Sequence, residues 1–217
     1  TVANIDGVGF VGSGHTENGE TEQVDDLQLE VNGRIVARPE RRLQADTVVL
    51  RKTSRINDLH LQTTITIADN RILEDVSVVA AKPLALNLLY HAMHPWVTTM
   101  SHFAAVTRAG EAVEGRFEGD GAMRIISPVT WSAVYSETLK KGALTVVLEV
   151  PPDLPWNTRY WDVPERYRKH YLMTFANTTI PVGKTFRTRV LTLPFEADDT
   201  TWHDTVTSLA DAILALP

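Results

Sequence analysis

Leu59-His60-Leu61-Gln62-Thr63-Thr64-Ile65-Thr66-Ile67-Ala68 alternates along its length and then meets Asp69-Asn70, two residues that tolerate turn geometry. A strand sends successive side chains to opposite faces. Leu59, Leu61, Thr63, Ile65 and Ile67 therefore share one face, and His60, Gln62, Thr64 and Thr66 the other. Working outward, Leu27, Leu29 and Val31 alternate in the same way and stop at Asn32-Gly33, a hairpin-turn pair. Leu84 to Tyr90 is another alternating run. Further strands are expected at Met123–Ile126, Trp131–Tyr135, Leu144–Val150, Tyr171–Phe175 and Phe186–Leu193. Many strands without intervening helices predict an antiparallel β sandwich rather than βαβ units.

Only the C-terminal stretch has a different period. Trp202, Val206, Leu209 and Ile213 recur at helical spacing, which predicts an amphipathic helix over Thr201–Leu214 packed on the sheet. Thr200 or Thr201 could cap it, and Asp204 lies in its first turn, where the helix dipole favours a carboxylate. No repeat, low-complexity tract or linker divides the chain, so 1–217 is read as a single β-sandwich domain.

Composition narrows the function. With 21 Lys+Arg against 27 Asp+Glu the net charge is -6, and no basic run stands out. That disfavours nucleic acid, which needs a concentrated positive footprint. No apolar stretch approaches the roughly 18 residues needed to span a bilayer, and no signal peptide is visible, so no membrane partner and a cytoplasmic location are expected. There is no cysteine, hence no disulfide and no thiolate metal site.

Four places could carry chemistry. Period two puts Asn87, Leu89 and His91 on one partly polar strand face, as a sheet lining a ligand groove would have. Pro95 should end the ladder beyond it, with His94 and Trp96 as candidate ligand contacts. A satisfied structural histidine is the plain alternative for His91. Glu149 closes an otherwise apolar strand just before Pro151-Pro152. Burying it unpaired costs several kcal/mol, so it is either a rim residue or a functional one. Gly12 to Glu22 holds His15 among flexible and acidic residues. It reads as a solvated loop, or as one whose His meets a hydroxyl, and no metal-ligand spacing is present. Finally, Trp156, Tyr160, Trp161, Tyr167 and Tyr171 crowd together with Arg159, Arg166, Arg168, Lys169 and His170. Asp162-x-Pro164-Glu165 reads there as the cap of a short helix with the aromatics as core. The functional alternative is aromatic stacking on sugar rings, with Trp161 as a contact.

The order of these motifs resembles the galactose mutarotase-like (aldose 1-epimerase) superfamily. Pro83-Leu84-Ala85-Leu86-Asn87-Leu88-Leu89-Tyr90-His91 is similar to the family strand that delivers a catalytic histidine. Val147-Leu148-Glu149-Val150-Pro151-Pro152-Asp153-Leu154-Pro155 resembles the segment carrying the catalytic base, and Ile180-Pro181-Val182-Gly183-Lys184-Thr185-Phe186-Arg187 its closing strand entry. The three matches span about half of the chain. His15 stands where a His-Gly-Gly loop is expected, with only the His retained. The family's upstream sugar-contacting Asn and Arg, and the substrate-binding Asp between His and Glu, have no counterpart.

The resemblance implies a supersandwich shortened at its N-terminus and a monosaccharide or sugar-phosphate ligand. It implies Glu149 as base and His91 as acid in opening and reclosing a sugar ring, and no cofactor. A carboxylate and an imidazole suit that work because their pKa values bracket neutrality. It also leaves open a non-catalytic carbohydrate-binding module and a lyase- or hydrolase-associated domain. Which sugar binds, and in what oligomeric state, is not written in these motifs.

Overall fold

The computed structural model describes residues 1–15, 21–39 and 42–216. In chain order the strands are β1 (Val2–Ile5), β2 (Gly9–Gly12), β3 (Gln23–Val31), β4 (Arg34–Ile35), β5 (Thr47–Ile56), β6 (Leu59–Ala68), β7 (Arg71–Ala80), β8 (Leu84–Tyr90) and β9 (Met93–Trp96). There follow β10 (His102–Thr107), β11 (Ala112–Arg116), β12 (Met123–Ser127), β13 (Val129–Ser136), β14 (Lys141–Glu149), β15 (Trp156–Val163), β16 (Tyr167–Ile180) and β17 (Thr185–Glu196). One helix, α1 (Trp202–Leu214), closes the chain. The protein is thus a mainly antiparallel β sandwich with a single C-terminal helix among the described residues. That helix is not long and apolar enough to cross a membrane.

The contacts gather into two compact units. The first comprises Thr1–Leu89, Glu149–Leu154 and Ala176–Leu191, and the second Tyr90–Leu148, Pro155–Phe175 and Thr192–Pro217. In the first, β6 pairs with β5 and β7 over its full length, from Leu59↔Ala80 to Ala68↔Arg71 on one side. Leu59, Leu61, Ile56, Val78 and Ala80 are buried, whereas Ile67, on the same face, is exposed. The alternation of β6 is real, but only its first half lies over the core. Asn32 and Gly33 both take positive φ in the β3–β4 turn, as do Asp69 and Asn70 between β6 and β7.

The second unit is layered. One sheet runs β12–β15–β16 with β9 paired to β16 over Arg168–Tyr171, and the other runs β11–β10–β13–β14–β17. They face each other through Tyr160, whose ring lies 5.6 Å from Phe117 and 6.2 Å from Phe103. On the far side of β13, Tyr135 stacks on Trp202 of α1, with ring centroids 5.2 Å apart and planes 1° apart. The helix buries Trp202, Val206, Ala210 and Ile213. Leu209 is only half-buried: the i, i+4, i+8 line from Trp202 passes through Ala210 instead. Thr201 occupies the cap position, but its side chain makes no capping bond.

Two further expectations are corrected. No helix starts at Asp162: Trp156–Val163 and Tyr167 onward form an antiparallel hairpin, and Pro164-Glu165-Arg166 is its turn, with Glu165 at φ 57°. Nor does Pro95 end the ladder. It sits inside β9 opposite Lys169, on an edge strand where a missing N–H costs no hydrogen bond.

Candidate functional site

The hairpin β15–β16 decides where side chains go in the second unit. Paired residues share a face, so register sorts them. Asp162 faces Arg168, Tyr160 faces His170, Trp161 faces Lys169, and Arg159 faces Tyr171. On the flanks, β9 sets Trp96 beside Arg168 and His94 beside His170, and β12 sets Met123 beside Trp161. One face therefore carries Tyr160, Asp162, Arg168, His170, His94 and Trp96. The other carries Arg159, Trp161, Lys169, Tyr171, Met93 and Met123.

The first face is the core of the unit and is unusually polar. Asp162 and His170 are fully buried and Arg168 nearly so. Asp162 forms an ion pair with Arg168 and accepts a hydrogen bond from the Gly119 amide at 2.6 Å. The Arg168 guanidinium lies 5.3 Å from the Phe117 ring. The His170 ring stacks on Tyr160 at 4.1 Å, and its Nε2 is 3.2 Å from the Ser132 hydroxyl. Burial, helped by the His94 imidazole, holds His170 well below the usual histidine range, and burial pushes the Tyr160 phenol well up. These groups are closed off from solvent, so they specify structure rather than meet a ligand.

The second face mixes rings with cations; Arg159, Trp161 and Lys169 are half-buried, and Tyr171 is buried among them. The Trp161 indole is fixed by its N–H, which donates to the Gly121 carbonyl at 3.1 Å. Lys169 Nζ lies 5.0 Å from the Tyr171 ring, which packs against Tyr90 at 4.5 Å. Burial raises both tyrosine phenols, and the nearby Arg159 charge works against it. Arg159 itself donates from Nε and Nη2 to Asn157 Oδ1 at 3.1 and 2.9 Å.

The residues singled out in the sequence fall in both units. His94 and Trp96 do come together, edge to face at 5.6 Å, but on the core side of the sheet, with Trp161 on the opposite side. His91 is buried just past β8 in the second unit. Asn87 is exposed in the first unit, where it donates to Asn4 Oδ1 at 3.4 Å. Burial along β8 changes phase: Leu84 and Leu86 are buried, then Leu89 and His91. His15 makes a bridge to Gly12 and stacks on Phe10 at 5.4 Å in the first unit. The rest of its loop, residues 16–20, lies outside the described residues. Glu149 ends β14 at the rim of the first unit, its Oε2 3.7 Å from Arg187 Nη1, and Arg187 is in turn held by Asp75.

The sequence reading placed Arg159, Trp161, Lys169 and Tyr171 in one aromatic and basic cluster but did not sort its two faces, and it left Tyr90 out. Period two applied to 156–171 separates the two faces at once; a helical period there mixes them. Among the described residues no group of three or more His, Cys, Asp or Glu could hold a metal ion.

No protein family matches the sequence, and no curated protein does. Solved structures match the fold. The galactosidase domain of an α-galactosidase–sucrose kinase aligns at TM-score 0.56 and 8% identity, over 82% of this chain and 28% of that one. The GH36 α-galactosidase AgaB from Geobacillus stearothermophilus aligns at 0.56 and 9%, over 91% and 30%. AgaA from the same organism aligns at 0.52 and 10%, over 84% and 29%. The chain spans less than a third of the length of these enzymes, and at such identities the likeness is one of fold. The fold is thus one found in carbohydrate-active enzymes.

Proposed function

We propose that this chain is a carbohydrate-binding β-sandwich domain of a carbohydrate-active enzyme, and that the sugar meets the outer face of β12–β15–β16–β9. The observation that carries the reading is the half-exposed Trp161, set on one sheet face beside Arg159 and Lys169 and over a buried Tyr171 that packs on Tyr90. A fixed indole offers a flat apolar surface to the C–H face of a pyranose, and the flanking cations can bond its hydroxyls. Sites of this kind combine aromatic walls with a few placed polar groups. Likeness to α-galactosidases supports the ligand class; fold alone does not choose the chemistry.

Titration with a panel of hexoses and their oligosaccharides, followed by tryptophan fluorescence, tests the reading. Wild type is expected to saturate with at least one member, and Trp161→Ala to weaken that binding about tenfold or more. Saturation unchanged in the variant would remove the site from this face.

The resemblance to aldose 1-epimerases supports a second reading, with Glu149 as base and His91 as acid. Glu149 stands at a rim beside Arg187, the setting of a structural carboxylate, so we rank catalysis behind binding. Polarimetry on fresh α-glucose or α-galactose decides it: turnover above the spontaneous rate that Glu149→Gln abolishes would reverse this ranking.

A further inference from the structure

We infer that the saccharide taken by this face is negatively charged, its carboxylate, sulfate or phosphate received by Arg159 and Lys169. This rests on the carbohydrate reading above and adds the substrate class.

Among the described residues, cations around the β15–β16 hairpin lack counter-ions that others in the same unit have. In the second unit Arg116, Arg124, Lys140, Lys141 and Arg168 each meet a carboxylate. Arg108, Arg159, Arg166 and Lys169 meet none among the described residues, and all four lie on or against the β15–β16 hairpin. Arg108 lies 5.5 Å from the Trp156 ring, Lys169 lies against Tyr171, Arg159 spends its bonds on a neutral amide, and Arg166 stands in the turn. Scarcity of acid is not the reason, since the chain carries six more carboxylates than cations.

Arg159 and Lys169 are moreover half-buried. A cation drawn partly out of water is costly unless an anion or several hydrogen bonds compensate it. A ligand anion would supply what the protein omits. The geometry suits it: Trp161 and Lys169 are cross-strand partners, and Arg159 stands two residues before Trp161 on the same face, so a fixed ring lies between two charges. An arginine fork matches the planar oxygens of a carboxylate, sulfate or phosphate, and a lysine adds a point charge.

Calorimetric titration tests this with galactose and glucose against galacturonate, glucuronate and the 6-sulfates and 6-phosphates of both hexoses. An acidic sugar is expected to bind at least roughly tenfold tighter than its neutral parent, with affinity falling as salt rises. The Arg159→Gln/Lys169→Gln double variant, shown to be folded by circular dichroism, should lose that preference, acidic and neutral sugars then binding it alike. Which acid wins tells carboxylate from sulfate or phosphate. If neutral sugars bind as tightly as acidic ones and depend on Trp161, the charge inference fails and the carbohydrate reading stands. If the preference survives in the double variant, the charge is read elsewhere and the inference fails. If no saccharide of either kind binds, both fall.

Discussion

Arg168 and His170 stand two residues apart on the same buried face of β16, and burial treats them differently. A guanidinium stays charged at any accessible pH, so the fold supplies Asp162, and the Gly119 amide occupies the second oxygen of that carboxylate. An imidazole can shed its charge instead, and His170 stays neutral beside Ser132 and Tyr160. The consequence is a pH dependence of known sign. The folded state holds His170 well below the ordinary 6.5, mainly through burial, so below about pH 6.5 the unfolded chain binds a proton that the folded one refuses. Stability is full above that pH and falls as pH drops from it toward the depressed folded value. His102 shifts in the same direction, again chiefly by burial, and adds to the slope. Glu22 acts in a separate window. Burial opposes its ionisation, but Lys52, Ser13 and Ser54 hold it at about 2, so its contribution is lost only below about 4.5. Thermal melts between pH 7.5 and 5 should show the melting temperature falling. His170→Phe, which keeps the stack on Tyr160, should flatten the fall; an unchanged slope would show that another group titrates.

At the scale of elements, legibility followed the period. Strands with one clean face, such as the first half of β6 and β17, were readable because alternation and turn residues agreed. Over Trp156–His170 the period was obscured, because both faces are rich in rings and charges and Pro164 mimics the first turn of a helix. Its polar core face is what defeated hydrophobic patterning: Asp162, Arg168 and His170 look like surface residues and are buried. The helix was readable to within one position on its buried line. That difference can be measured. Trp202→Ala, which empties the stack on Tyr135, should cost about 3–5 kcal/mol in denaturant unfolding, and Leu209→Ala clearly less, because Leu209 keeps part of its surface in water. Equal losses would mean that the helix is rotated about its axis from the arrangement described.

For the whole molecule, the fold class lay in the sequence, whereas the proposed site depends on strand pairing that the sequence does not spell out. Strand count and a single C-terminal helix predict a sandwich, and solved α-galactosidases share the fold over most of this chain. Site residues depend on which strands become neighbours, and Trp161 and Lys169 meet only because β15 and β16 pair in one register. Short motifs around His91 and Glu149 carry no such information, and the structure assigns those two residues to different units. The central claim is that a sugar lies on the outer face of the β15–β16 hairpin. Two-dimensional amide NMR during titration with the tightest-binding saccharide tests it most directly. The account predicts ligand-dependent shifts centred on Arg159, Trp161, Lys169 and Tyr171, with the Trp161 indole signal among the largest. Shifts centred on Glu149 and Arg187, with the hairpin silent, would contradict it.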